Sequence, residues 1–151
     1  MFNLNQSINR IFIKLSYRFG FSKLLSMPKM LALDPTNLCD LKCPLCPTGL
    51  RDKTIERGSI KLEQFKTIID RLAKHLQSIN LYSWGEPLLH KSLVDMIRHT
   101  AIRHKVRTIT SVHLGNLSDE QVEGLATSGL DKLIVSVDGA TQDVYEKYRV
   151  G

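Results

Sequence analysis

No acidic residue occurs among the first 33 positions, no cysteine lies outside one eight-residue window, and no apolar run approaches the ~18 residues that span a bilayer. Each absence excludes something. Without a long apolar run, no transmembrane helix is expected. Three clustered cysteines, an odd number, do not make the dispersed disulfide framework of a small secreted domain. They point to a reducing compartment and a cytoplasmic protein. The missing acids concentrate the charge. Arg10, Lys14, Arg18, Lys23 and Lys29 give the first 33 residues +5, while the remaining chain carries 16 basic and 15 acidic residues. The net charge of +6 therefore belongs to the N-terminal arm and implies no basic groove for nucleic acid. The 151 residues suffice for one domain with a hydrophobic core, and the 42% hydrophobic content is ordinary.

The arm, residues 1–29, has helical periodicity. Ile8, Ile11, Phe12, Leu15 and Phe19 fall on one stripe, and Arg10, Lys14 and Arg18 on another face. Two readings stand: an extra helix packed on the domain, or a basic amphipathic helix lying on an anionic membrane or a partner surface. The charges at Arg10, Lys14 and Arg18 interrupt any signal-peptide core.

The cysteines themselves read Cys39-Asp-Leu-Lys-Cys43-Pro-Leu-Cys46. Thiolate is a soft ligand suited to iron–sulfur clusters, zinc and copper(I). Pro44 and Pro47 keep the segment from continuing as a regular helix. Structural zinc takes four protein ligands, so three thiols leave a coordination position open, as a catalytic metal requires. On a cubane cluster they would leave one iron free.

The rest of the chain alternates. Strands are expected at Met30 to Leu33, Ile79 to Trp84, Val106 to Ser111 with Ile109 as its anchor, and Leu133 to Val137, the clearest buried strand. Helices are expected around Leu62 to Leu76, Leu93 to Ala101, after a Ser118–Gln121 capping box, and from Thr141. A charged loop from Gly49 to Gly58 adjoins the cysteines and reads either as a solvated connection or as a cover for a centre held there. Four βα units predict an α/β fold with a parallel sheet, and its ligands belong outside the carboxyl ends of the strands. The cysteine loop, Gly85-Glu86-Pro87 and Asp138-Gly139 all follow strands, so they share one rim.

The cysteine spacing resembles the signature of the radical S-adenosylmethionine (radical SAM) superfamily. Trp84-Gly85-Glu86-Pro87 is similar to the family's Gly-Gly-Glu-Pro, with Trp84 in place of the first glycine. Ser136-Val-Asp138-Gly is similar to a stretch in the subset that often carries a C-terminal cysteine-rich (SPASM-type) extension. Where that family often has Thr-Asn-Gly, this chain has Ser111-Val-His113-Leu-Gly115. The resemblance implies a partial (β/α) barrel over residues 30–151. It implies a 4Fe–4S cluster on Cys39, Cys43 and Cys46, and S-adenosylmethionine held at Gly85, Glu86, Pro87, Ser136 and Asp138. It further implies reductive cleavage of that cofactor to a 5′-deoxyadenosyl radical that takes hydrogen from a small-molecule or peptide substrate, with a reductant such as flavodoxin or ferredoxin. No catalytic side chain is assigned. Family cores have six βα units where four are read here, so the chain is expected to be a truncated portion, with its fourth strand an uncovered edge.

Two other readings use the same residues. A zinc-binding Cys3His interaction module would add His90 or His113 to the cysteines. A thiol oxidoreductase would use Cys43-Pro-Leu-Cys46 and leave Cys39 unexplained. His75, His99 and His104 are expected on helix surfaces.

Overall fold

The computed structural model describes residues 4–115 and 117–151. After helix α1 (Leu4–Phe19), strands β1 (Met30–Ala32), β2 (Ser78–Asn80), β3 (Arg107–Val112) and β4 (Lys132–Val135) form one sheet in the order β1-β2-β3-β4. Every neighbouring pair is parallel. Helices α2 (Leu62–Leu72), α3 (Leu93–Arg98) and α4 (Asp119–Thr127) make the crossovers, and short α5 (Gln142–Tyr145) follows β4. The α/β architecture expected from the alternation of elements is present.

The core lies between the sheet and its helices. Phe65 and Ile69 of α2 and Met96 and Ile97 of α3 are fully buried against Ile79 and Leu81. These side chains recur at helical spacing on one side of each helix, which is why their burial is readable from sequence. In β3 the buried side is not the expected one. Thr108, Thr110 and Val112 face the core, and Ile109 is only half-buried. The threonines tolerate this because Thr108 Oγ1 donates to the Val106 carbonyl (3.0 Å) and Thr110 Oγ1 to that of Leu81 (2.9 Å).

β2 is shorter than expected. Leu81 N–H still donates to the Ile109 carbonyl (2.8 Å), and then the chain leaves the sheet. The Trp84 N–H turns to the Asp34 carboxylate instead (3.2 Å). β4 is an edge of the sheet, as expected, but it is not a buried strand: Leu133 is 40% and Val137 68% exposed. An apolar run predicts burial only where another element covers it.

α1 forms where the periodicity places a helix, and it is packed on the domain. The packing is through its polar side. Gln6 Nε2 donates to the Leu76 carbonyl (2.6 Å), and the Asn9 side chain exchanges two hydrogen bonds with the Met27 backbone (2.8 Å each). Gln6, Asn9 and Ser16 are buried, whereas Ile11 is 57% and Phe19 62% exposed. No helix among the described residues is long and apolar enough to cross a membrane.

The capping box forms as read. Gln121 N–H donates to Ser118 Oγ (3.2 Å), and Ser118 N–H to Gln121 Oε1 (3.1 Å). Gln121 Nε2 also donates to the Leu88 carbonyl (2.9 Å), tying α4 to the turn beside the site. Ser118→Ala should therefore lower stability by about 1 kcal/mol. Urea unfolding of the two proteins would show it as a lower midpoint at unchanged slope, and an unchanged midpoint would mean that the cap contributes nothing.

Candidate cluster and cofactor site

The loop after β1 is built by its own polar residues. Thr36 Oγ1 donates to the Gly58 carbonyl (3.0 Å) and accepts from Leu38 N–H (3.1 Å) and Ser59 Oγ (2.8 Å). Asn37 clamps the other side: its Oδ1 accepts from Gly58 N–H (2.7 Å) and its Nδ2 donates to the Glu56 carbonyl (2.7 Å). The charged loop is thereby folded back on the residues that precede Cys39. Arg57 Nη2 closes it by donating to the Thr48 carbonyl (2.9 Å).

Cys39, Cys43 and Cys46 all line one cavity of about 190 Å³ at the carboxyl ends of the strands. All three are free thiols, and Cys43 is buried. Gly85, Glu86 and Ser136 line the same cavity. Pro87 does not; it starts a 3-10 turn (Pro87–Leu89) behind the cavity and sets that turn's backbone angle. Asp138 also lies outside the lining. It pairs with Arg149, whose side chain does reach the cavity.

Glu86 is buried, and both of its oxygens are engaged. Oε1 accepts from Leu88 N–H (3.0 Å), and Oε2 accepts from His113 N–H (3.0 Å) with the His113 ring at 3.3 Å. Burial pushes its pKa up, against the Leu88 and His113 N–H bonds, which favour the carboxylate. The side chain thus joins the exit of β2 to the exit of β3. Glu86 N–H donates to the Leu38 carbonyl (2.8 Å), joining the same turn to the cysteine loop. Gly85 makes this approach possible. A Cβ on it would stand 1.8 Å from the Thr36 carbonyl oxygen.

The histidines do not complete a Cys3His zinc site. His90 lies outside the cavity. Its Nδ1 accepts from Ser92 N–H (3.1 Å), so Nε2 carries the proton it shares with the Ile60 carbonyl (2.8 Å). His113 lines the cavity, but its Nδ1 accepts from Gly115 N–H (3.0 Å) and its Nε2 donates to Asp40 (2.9 Å). At this site the ligand atoms that lie within 4.8 Å of one another belong to Cys39, Asp40 and His113, and not to the three cysteines. Tetrahedral thiolates on a single zinc sit about 3.8 Å apart, given a Zn–S bond of about 2.3 Å. Three soft donors spread around a cavity fit a polynuclear cluster better than one ion. His99 and His104 are not free surface residues, since both rings bond to Asp70 Oδ1 (2.7 and 2.6 Å).

His113, named from the sequence only as a zinc ligand, lines this cavity, and sequence reasoning missed Tyr148 and Arg149, which line it too. The Val150 carbonyl accepts from Lys42 N–H in the cysteine loop. Asp40 and His113 are 73 positions apart, and no local pattern pairs them. The one available signal was that His113 follows a strand, on the same rim as the cysteines.

Known proteins resemble this chain in sequence and fold. The chain is 27% identical over 126 residues to an AdoMet-dependent heme synthase of Methanosarcina barkeri, covering 83% of this chain and 36% of that protein. It is 30% identical over 129 residues to a PqqA peptide cyclase of Rhodopseudomonas palustris, covering 83% and 33%. It therefore spans about a third of the length of the curated relatives it matches. The crystal structure of Streptococcus suis SuiB bound to S-adenosylmethionine superposes with a TM-score of 0.72 at 18% identity, over 92% of this chain and 31% of that one, which supports the fold. Residues 33–151, most of the chain, match the profile of the Radical SAM superfamily, and the chain belongs to that family, whose cofactors are a 4Fe–4S cluster and S-adenosylmethionine.

Proposed function

We propose that this chain forms the cluster- and cofactor-binding part of a cytoplasmic radical SAM enzyme, comprising a core from residue 30 onward and an arm over residues 1–29. The carrying observation is the convergence of Cys39, Cys43, Cys46, Gly85, Glu86 and Ser136 on one cavity. Cys39, Cys43 and Cys46 would ligate three irons of a 4Fe–4S cluster. When bound, cluster and cofactor supply a one-electron cleavage of S-adenosylmethionine to methionine and a 5′-deoxyadenosyl radical, which takes a hydrogen atom from a small-molecule or peptide substrate. The electron comes from an external low-potential donor of the flavodoxin or ferredoxin class.

The chain's own residues hold the geometry for that step. Glu86 fixes the turn by accepting from Leu88 and His113, and leaves the Gly85 backbone facing the cavity. Ser136 contributes a hydroxyl from the exit of β4, 3.4 Å from that of Ser111. Asp138 acts through Arg149, holding its guanidinium at the cavity wall, where a carboxylate can be received.

Anaerobic reconstitution with iron and sulfide, followed by EPR of the reduced protein, tests this reading. A 4Fe–4S signal that changes when S-adenosylmethionine is added is the expected result. Stoichiometric zinc without cluster formation would overturn it.

A further inference from the structure

α1 presents its apolar stripe to solvent. Leu4, Ile8, Ile11, Phe12, Leu15 and Phe19 are all exposed, while Gln6, Asn9 and Ser16 on the opposite side are buried. Amphipathic helices of globular domains are normally docked the other way, with the apolar face inward. Here specific hydrogen bonds hold the polar face down. The Asn9 amide pairs with both backbone groups of Met27, and Gln6 reaches the Leu76 carbonyl. The outward orientation is therefore built in by named contacts.

The chemistry of the arm selects an occupant for that stripe. At about 100° per residue, the row Arg10, Lys14, Arg18 lies beside the apolar stripe, between it and the docked side. Lys23 follows the helix, and the arm holds no acid. A protein groove would need the stripe but not an acid-free arm. Self-pairing of two arms would bring like-charged rows together. An anionic bilayer surface uses both features at once: acyl chains receive the stripe, and headgroups receive the basic row. The helix is 16 residues, about 24 Å long at 1.5 Å per residue, and suited to lying in the interface.

The docking position sets an orientation. Gln6 bonds just ahead of β2, and it shares a cavity of about 400 Å³ with Gln77, Arg107 and Asp131, at the amino-terminal ends of the strands. The cysteine cavity opens at the carboxyl ends. We infer that α1 is an interfacial helix that seats this chain on an anionic lipid surface, with the cysteine cavity facing away from the lipid. The inference is independent of the radical chemistry.

Flotation of the chain with vesicles tests it, using phosphatidylcholine alone and phosphatidylcholine mixed with phosphatidylglycerol. The chain should float with the anionic vesicles. Ile11→Glu with Leu15→Glu should lower the partition at least about tenfold by putting charge into the stripe. Lys14→Glu with Arg18→Glu should lower it by about tenfold or more on anionic vesicles. All four side chains are exposed, so the urea midpoint should not move. The inference is overturned by failure to float, by flotation that ignores both double substitutions, or by a dimer in light scattering that the stripe substitutions dissociate.

Discussion

Replacing Gly85 with alanine is expected to lower the stability of the cluster-free chain by about 3 kcal/mol, the upper end for overpacking a tight contact, and to abolish cluster incorporation. The added Cβ would meet the Thr36 carbonyl oxygen at 1.8 Å, its carbon at 2.7 Å and the Asn37 Cα at 2.9 Å. All three are backbone atoms, so no rotamer change relieves the clash. The β1 exit would have to shift, three residues before Cys39. The same displacement would strain the Glu86 N–H bond to Leu38 and with it the carboxylate bridge to His113. Stability and cluster binding should therefore fall together. Gly58→Ala is the control, because nothing lies within 4 Å of a Cβ there. Urea unfolding and iron content after reconstitution read the two effects. A Gly85→Ala protein with the parent's midpoint and iron content would show that the turn does not press on Thr36.

Much of the fold was legible because it rests on local periodicity. Phe65 and Ile69, four apart on α2, are both completely buried, as spacing alone implies. The Ser118 cap and the left-handed Gly129 (φ +82°) were legible for the same reason, since each depends on a few neighbouring residues. What failed needed knowledge of the partner surface. Ile109 seemed the natural anchor of β3, yet register aligns Thr108 with the fully buried Ile79, placing the threonine side in the core. Hydrophobicity ranks side chains by transfer cost and cannot register that a buried hydroxyl has a carbonyl waiting. α1 forms as read, but the way it docks was not legible. Its stripe was visible, but the direction of that stripe was decided by Asn9 and Gln6 reaching backbone groups 18 and 70 positions away.

The site divides the same way. Three thiols within eight residues are a local signal, and the rule that ligands gather at the carboxyl ends of parallel strands brought Gly85 and Ser136 beside them. Glu86 lines the cavity, but its hydrogen bonds were not legible. A carboxylate read as a ligand contact spends both oxygens on backbone N–H groups and the His113 ring. Tyr148 and Arg149 were unreadable because they arrive through tertiary folding, and the bond of His113 to Asp40 was unreadable for the same reason.

Serine at any one of Cys39, Cys43 or Cys46 should reduce the 4Fe–4S EPR signal to background. The three cysteines are the only thiolate donors in the sequence, and an alkoxide is a hard, weakly populated substitute at neutral pH. The cluster-free proteins should still fold, because Cys39 and Cys46 are only partly buried; Cys43→Ser carries an additional cost from placing a hydroxyl in a buried position. A signal that survives any one substitution would remove that cysteine from the ligand set. The thiols also differ in the work needed to deprotonate them. Burial raises the Cys39 pKa above the ordinary thiol value, the Leu41 N–H bond opposes this, and the Asp40, Glu86 and Cys43 charges add to it. A thiol whose folded pKa is raised favours the folded state fully below the ordinary value and loses that contribution as pH rises through the folded value. Ligation requires the thiolate, so alkaline conditions favour the reactive form of Cys39. Iodoacetamide labelling of the cluster-free chain, followed by peptide mass analysis, should place the pH midpoint for Cys39 above that of an ordinary cysteine. Asp40→Asn should move that midpoint down by removing one of the opposing charges. A midpoint at or below the ordinary value, unmoved by Asp40→Asn, would show that the cavity does not disfavour the thiolate.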